Sequence, residues 1–220
     1  MKNRLDLFYG AGSHLFINKG YARTQMKDIA QQIGLSTGMI YQYFKGKNDL
    51  LDFIIKCTIE PSYLHQDFDY PIQGQLFEHL DQEIDAAFEK NAADFNKGME
   101  NPNYTLVEMF SDAFDVIAKY GVGCLIIEHN LDDLPKLAES YRDFRKIYFK
   151  QVYQYVERFI NEGQMREVED KHYTTRTIIE LLAFWGMHIM NDAFERDEAL
   201  THEKAKKICL DNLIPAYSKK

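Results

Sequence analysis

The sequence predicts an all-α protein, with a small three-helix N-terminal head over residues 1–47 and a larger helical body over 48–220. Three observations carry this. Apolar residues recur at the three-and-four spacing of one helical face. Only 5 prolines and 12 glycines interrupt 220 residues, and β-branched residues never alternate with polar ones for long. Hydrophobic residues at 45% against 27% charged exclude the composition of a disordered chain, and the length suffices for one or two domains whose core needs no metal or disulfide.

In the head, Leu5, Phe8, Tyr9, Gly12, Leu15 and Phe16 share one face of a first helix, which ends at Lys19-Gly20, a cation followed by a helix-stopping glycine. Thr24 is expected to cap a second helix that buries Met26, Ile29, Ala30 and Ile33 and stops at Gly34. Ser36 is expected to cap a third, over 37–44, with Ile40, Tyr43 and Phe44 inward and Thr37, Gly38, Tyr41 and Gln42 outward. A fourth helix runs from 48 to about 60, where Pro61 closes it, and residues 61–74 are turn-rich. The body then reads as helices over 75–97, 104–120, 121–130, 134–162, 172–196 and 201–214, the last closed by Pro215.

The second and third helices must cross closely at a steep angle. Ala30 is small enough for the contact, Gly34 supplies the turn four residues later, and Ile40 wedges between the helices six further on. This is the spacing of a helix-turn-helix, which places its second helix in the major groove of DNA. Charge is distributed to match. Residues 1–50 carry seven cations (Lys2, Arg4, Lys19, Arg23, Lys27, Lys45, Lys47) against three anions, a surplus of four, which leaves −12 on the remaining 170 residues of a chain whose net charge is −8. A basic head meets phosphates and an acidic body is repelled by them.

The string from Phe16 through Lys19-Gly20-Tyr21-Ala22-Arg23-Thr24, then Asp28-Ile29-Ala30, then Gly34-Leu35-Ser36-Thr37-Gly38-Met39-Ile40-Tyr41-Gln42-Tyr43-Phe44, with Lys47 and Leu50-Leu51, closely resembles the head of TetR-family regulators. The resemblance covers about the first fifty-five residues. It departs at Gly10 and Gly12, where the family more often has helix formers, at Gly46, where it often has serine, and in the near absence of a basic arm before the first helix. It implies a transcriptional regulator, a repressor in the leading reading, that binds a palindromic operator in double-stranded DNA as a homodimer and responds to a small ligand. Thr37 and Gln42 are the expected base readers, Gln42 for an adenine edge, with Gly38 letting the helix backbone approach closely. Thr24, Lys27, Ser36, Tyr41, Tyr43 and Lys47 are expected on phosphates, as matching positions are in the family, and Lys47 stands near the start of a helix whose amides add to the attraction.

Twenty-two of the 29 Phe and Tyr residues lie in the body with the single Trp185. An acidic, tyrosine- and methionine-rich helical body suits a chamber for a flat or apolar ligand, a cationic one included, with Tyr104, Phe110, Phe114, Glu128, His129, Tyr148 and Trp185 as candidates. In the last two helices Ile178, Ile179, Leu181, Leu182, Phe184, Trp185, Met187, Ile189 and Met190, with Leu200, Ala205, Ile208, Cys209, Leu213 and Ile214, spread over more than one face. Pairing across a two-fold axis would bury that surface in a four-helix interface, as the resemblance also implies.

The N-terminal residues lack the form of a signal peptide, and the longest apolar window, 178–193, is interrupted by Glu180, His188, Asn191 and Asp192, so the protein is read as neither exported by that route nor membrane-spanning. Cys57, Cys124 and Cys209 are odd in number and show no ligand spacing, which reads as buried thiols in a reducing cytoplasm. His79, His129, His172 and His188 have no partners at metal spacing, and no nucleophile or glycine-rich phosphate motif is present, so neither enzyme, metal site nor cofactor is expected. The alternative function class is an architectural DNA-binding protein with the same head and no inducer, distinguishable by its lack of a cavity and of sequence preference.

Overall fold

The computed structural model describes residues 4–194 and 199–219. Lys2, counted in the basic head, and position 196, the expected end of one helix, lie outside the described residues. Among the described residues the secondary structure is helical, apart from two isolated bridges, Phe44 with Ile72 and Met165 with Ser218. No helix among them is long and apolar enough to cross a membrane.

The chain packs as two units, Met1–Ala87 with Val122–Glu139, and Phe88–Gly121 with Ser140–Lys220. The first holds α1 (Arg4–Asn18), α2 (Met26–Gln32), α3 (Thr37–Tyr43), α4 (Lys47–Ile59) and two 3-10 turns, Pro61–His65 and Gly74–Phe77. The beginning of α5 (Leu80–Glu100), the end of α6 (Leu106–Glu128) and the start of α7 (Pro135–Asn161) complete it. Its core is Leu5, Phe8, Phe16, Ile29, Ile40, Phe44, Leu50 and Phe53, each no more than 1% exposed. At roughly 1.5–3 kcal/mol per buried large apolar side chain, these eight residues offset much of the cost of ordering so short a set of helices. The two glycines of α1 differ: a Cβ on Gly12 would lie 2.7 Å from Ile54 Cδ1, so the missing side chain lets α1 lie directly on α4, whereas Gly10 is exposed with nothing nearby.

The second unit contains most of α5 to α7, then α8 (Lys171–Ala183), which continues through a π-helical turn, Phe184–His188, into α9 (Ile189–Asn191), and finally α10 (His202–Tyr217). Phe95, Tyr104, Phe110, Phe114, Tyr148, Tyr155 and Phe159 form its centre, closed by Ile178 and Leu182 of α8 and by Ala205, Cys209 and Leu213 of α10.

Three expected boundaries are corrected. The helices expected over 104–120 and 121–130 are one, α6, because Gly121 serves packing rather than termination: a Cβ there would come within 2.7 Å of Met187 Cβ. Pro215 does not close the last helix but lies within it. The final turn holds because Arg166 donates from its backbone N to Tyr217 O at 2.9 Å and from Nε to Ala216 O at 2.7 Å, replacing partners the helix end lacks. Thr24 is not a cap. Gln25 is the N-cap residue of α2, its backbone N–H donating to Asp28 Oδ2 at 2.8 Å, while Ser36 caps α3 as expected by accepting from Met39 N at 3.3 Å.

Candidate DNA interface

The turn between α2 and α3 follows from three residues. Gly34 adopts φ +70°, a conformation costly to any residue with a Cβ, with open space around it, so the backbone angle and not crowding demands glycine. Gly34 N donates to Gln31 O and Leu35 N to Ala30 O at 2.9 Å, which closes α2. Ala30 and Ile40, at 1% and 0% exposure, then seal the crossing. With Ile40 and Phe44 buried, the opposite side of α3 is committed to solvent: Ser36, Thr37, Gly38, Tyr41 and Gln42 are all exposed.

The other expected contacts are placed differently from one another. Lys27 is exposed on the first turn of α2. Lys47 is the first residue of α4, and its ammonium donates to Tyr21 O at 2.8 Å while lying 4.1 Å from the centre of the Tyr21 ring. The Tyr21 hydroxyl is hydrogen-bonded to Asn48. Thr24 is turned inward and fully buried, its hydroxyl donating to Gly20 O at 2.8 Å, so its side chain offers nothing to a phosphate. Lys19 binds Asp28 Oδ2 at 2.6 Å, and that hydrogen bond, with the Gln25 N–H, holds the Asp28 carboxyl below the usual range.

Tyr43 is half-buried at the end of α3 and is held on three sides. Arg4 Nη1 donates to its hydroxyl at 3.0 Å, Phe8 lies 5.1 Å from its ring centre and Tyr70 4.7 Å. Because Arg4 is the donor, the phenol keeps its own hydrogen for an acceptor outside. Sequence reasoning listed Arg4 only as a cation before the first helix and overlooked Tyr70. One signal was present: Arg4 precedes Phe8 by one turn and so shares its face.

Residues 9–54 match the model of bacterial regulatory proteins of the tetR family. The chain carries a TetR-family DNA-binding domain. The curated regulator HbdR of Aromatoleum sp. (strain CIB) is 35% identical over 60 residues, a stretch that spans 27% of this chain and about a quarter (26%) of that relative's length. Among solved structures, the ketosteroid transcriptional regulator KstR2 of Mycobacterium tuberculosis is similar over 100% of this chain and 97% of its own, with a TM-score of 0.61 at 16% identity. A transcriptional regulator from Saccharomonospora viridis, solved with choline, covers 99% and 98% with a TM-score of 0.51 at 12% identity. These likenesses show that the chain shares the fold of these two regulators over nearly its whole length.

Of the seven ligand candidates, five belong to the second unit and two to the first. Tyr104, Phe110, Phe114 and Tyr148 are buried in the core of the second unit, against which Trp185 packs. Two hydroxyls there are already used, Tyr104 on Asp112 Oδ2 at 2.7 Å and Tyr148 on Ala113 O at 3.0 Å. Glu128 and His129 belong to the first unit, where His129 Nδ1 lies 2.9 Å from Ile17 O at the end of α1. The physical reason is that α6 runs on past Gly121, so its last turns serve the head. An open cleft of about 450 Å³ in that first unit is lined instead by Tyr21, Asn48, Asp52, Asp81, Asp133 and Lys136 with leucines. Burial and the neighbouring Asp49 and Asp81 raise the Asp52 carboxyl to about 6.

Proposed function

We propose that this protein is a ligand-responsive transcriptional repressor that binds a palindromic operator as a homodimer. The observation that carries the reading is the exposed row Thr37, Gly38, Tyr41 and Gln42 on a recognition helix whose other side, Ile40 and Phe44, is locked in the core. Rigid presentation of four groups on seven residues of helix is what direct readout in a major groove needs. Gln42 and Thr37 read base edges; Ser36, Tyr41, Tyr43, Lys27 and Lys47 hold phosphates, Lys47 exchanging its Tyr21 carbonyl for a stronger charge-assisted contact. Residues 1–47 are the DNA-contacting domain and 48–220 the regulatory one.

Dimerisation through α10 and the continuous α8, π-turn and α9 is supported by the apolar surface left there: Leu181 and Phe184 are 39% and 42% exposed, and Trp185, Ile189 and Ile208 are half-buried. The aromatic core around Tyr104, Phe110, Phe114 and Tyr148 supports a small apolar or aromatic ligand in the second unit, which would act by favouring a conformation with a different spacing of the two heads. A protein of the same fold holds choline, which is compatible with a small ligand. All three cysteines are buried thiols, in keeping with work in a reducing cytoplasm.

The test is to expose the purified protein to fragmented genomic DNA and sequence what it retains. Recovery of one or a few palindromes supports the repressor. Diffuse retention replaces it with an architectural role, and no retention removes the DNA reading.

A further inference from the structure

The segment 66–73 follows the fourth helix and returns to the recognition helix. Ile72 N donates to Tyr43 O at 2.8 Å, and Lys45 N donates to Ile72 O at 3.0 Å, so the last carbonyl of α3 and the first amide beyond Phe44 are both satisfied by one distant residue. Ile72 is fully buried, and Phe68 sits 5.8 Å from Phe53 and 5.1 Å from Tyr63, ring centre to ring centre. The segment is thus fastened to the core at two points, and Tyr70 stands between them, its ring edge-on to that of Tyr43. Tyr70 is itself 48% exposed, a large aromatic kept at the surface beside the recognition helix.

We propose that Tyr70 is a positioning residue of the DNA interface: with Phe8 it clamps the Tyr43 ring so that the Tyr43 hydroxyl and the Arg4 guanidinium present one joint grip to a single operator phosphate. The proposal deepens the DNA-binding reading and rests on it. Arg4 supplies the charge and one hydrogen bond to the phenol oxygen, and the phenol directs its remaining hydrogen outward. Tyr70 acts through Tyr43 rather than on the phosphate. Burial first, then the neighbouring Tyr43 and Asp67, raises the Tyr70 phenol above its ordinary pKa, and the Asp67 carboxylate disfavours a phosphate placed directly on Tyr70.

The experiment measures binding of the wild-type protein, Tyr70→Ala, Tyr70→Phe, Tyr43→Phe and the Tyr70→Ala/Tyr43→Phe double variant to the duplex most enriched from a randomised library, by fluorescence anisotropy across a salt series. Thermal melting is recorded in parallel. Tyr70→Ala is expected to weaken binding about tenfold and to lower the salt slope by about one, while Tyr70→Phe, which keeps the ring, binds as the wild type does. In the Tyr43→Phe background Tyr70→Ala is expected to cost less than about twofold, since the grip it positions is already gone. Equal losses in the two backgrounds, or wild-type binding by Tyr70→Ala, overturn the proposal while leaving the DNA-binding reading intact. Failure of the wild-type protein to enrich any duplex overturns that reading and the proposal with it.

Discussion

Asn130 Oδ1 accepts the backbone N–H of Tyr21 at 2.5 Å, and the same amide group donates through Nδ2 to Phe16 O at 2.9 Å and to Ile126 O at 2.7 Å. One side chain, 4% exposed, thereby ties the end of α6 to the turn that follows α1. Gly20, at φ +93°, opens that turn, and a Cβ there would lie 3.5 Å from the same Asn130 oxygen. Asn130→Ala leaves a donor and two acceptors without this partner, so it is expected to destabilise the fold by about 2–4 kcal/mol. Urea unfolding followed by circular dichroism gives the value; a loss of only a few tenths would mean that water replaces the amide.

The acidic cleft beside this turn gives a pH dependence of definite sign. Asp52 titrates at about 6 in the folded chain, above the 3.8 of an unperturbed aspartate, because burial and the carboxylates of Asp49 and Asp81 disfavour its charge. The folded state therefore binds this proton more tightly than the unfolded one. Its stabilising effect is full below the unfolded pKa and is lost as pH rises through about 6. Asp52→Asn should raise stability at neutral pH by on the order of 1 kcal/mol, a figure reduced for partial solvation, and should flatten the pH profile between the two values. Melting temperatures of both proteins at pH values either side of that window decide it.

At the recognition helix, Gln42→Ala is expected to relax discrimination at one base pair of each half-site by about 1–3 kcal/mol, whereas Lys27→Ala should weaken all duplexes alike and flatten the salt slope by about one. Competition binding with single-base variants of the selected operator separates the two. Identical profiles for both variants would contradict the division into base-reading and phosphate-holding residues.

Two glycines should respond with opposite sign. A Cβ on Gly98 would lie 2.5 Å from the Tyr155 hydroxyl and 2.6 Å from Tyr104 Cε1. Neither ring is free to yield, for Tyr155 is hydrogen-bonded to Phe95 O and Tyr104 to Asp112. Gly98→Ala should cost about 1–3 kcal/mol through overpacking. Gly10 is exposed in the middle of α1 with nothing within 4 Å of a Cβ, so Gly10→Ala should gain about 0.5–1 kcal/mol. Denaturant midpoints of the two variants test both.

Thiol chemistry should be slow. Burial, reinforced by the charge of Glu60, raises the Cys57 thiol to about 12, and burial raises Cys209 to about 11, so almost no thiolate exists at neutral pH. A disulfide reagent is expected to label all three buried cysteines only as fast as the chain unfolds. Rapid labelling before unfolding would show that one of them is open to solvent.

By itself the sequence determined the all-α class, the crossing of α2 and α3, and the exposed face of the recognition helix. These depend on residues within one or two turns of each other: the pattern that buries Ile40 and Phe44 also exposes Thr37, Tyr41 and Gln42, and Gly34 marks its turn through its own backbone angle. Only the tertiary structure decided that Gly121 is a packing contact within one continuous α6, and that α10 runs through Pro215 to a last turn whose final carbonyls Arg166 binds. It alone joined Arg4 to Tyr43 and returned Ile72 to the end of α3. Partners many helical turns apart in the sequence leave no periodicity in the chain. A hydroxyl, a glycine or a proline has the same local propensity whether or not such a partner arrives, and it is the arriving hydrogen bond or close contact that sets its role.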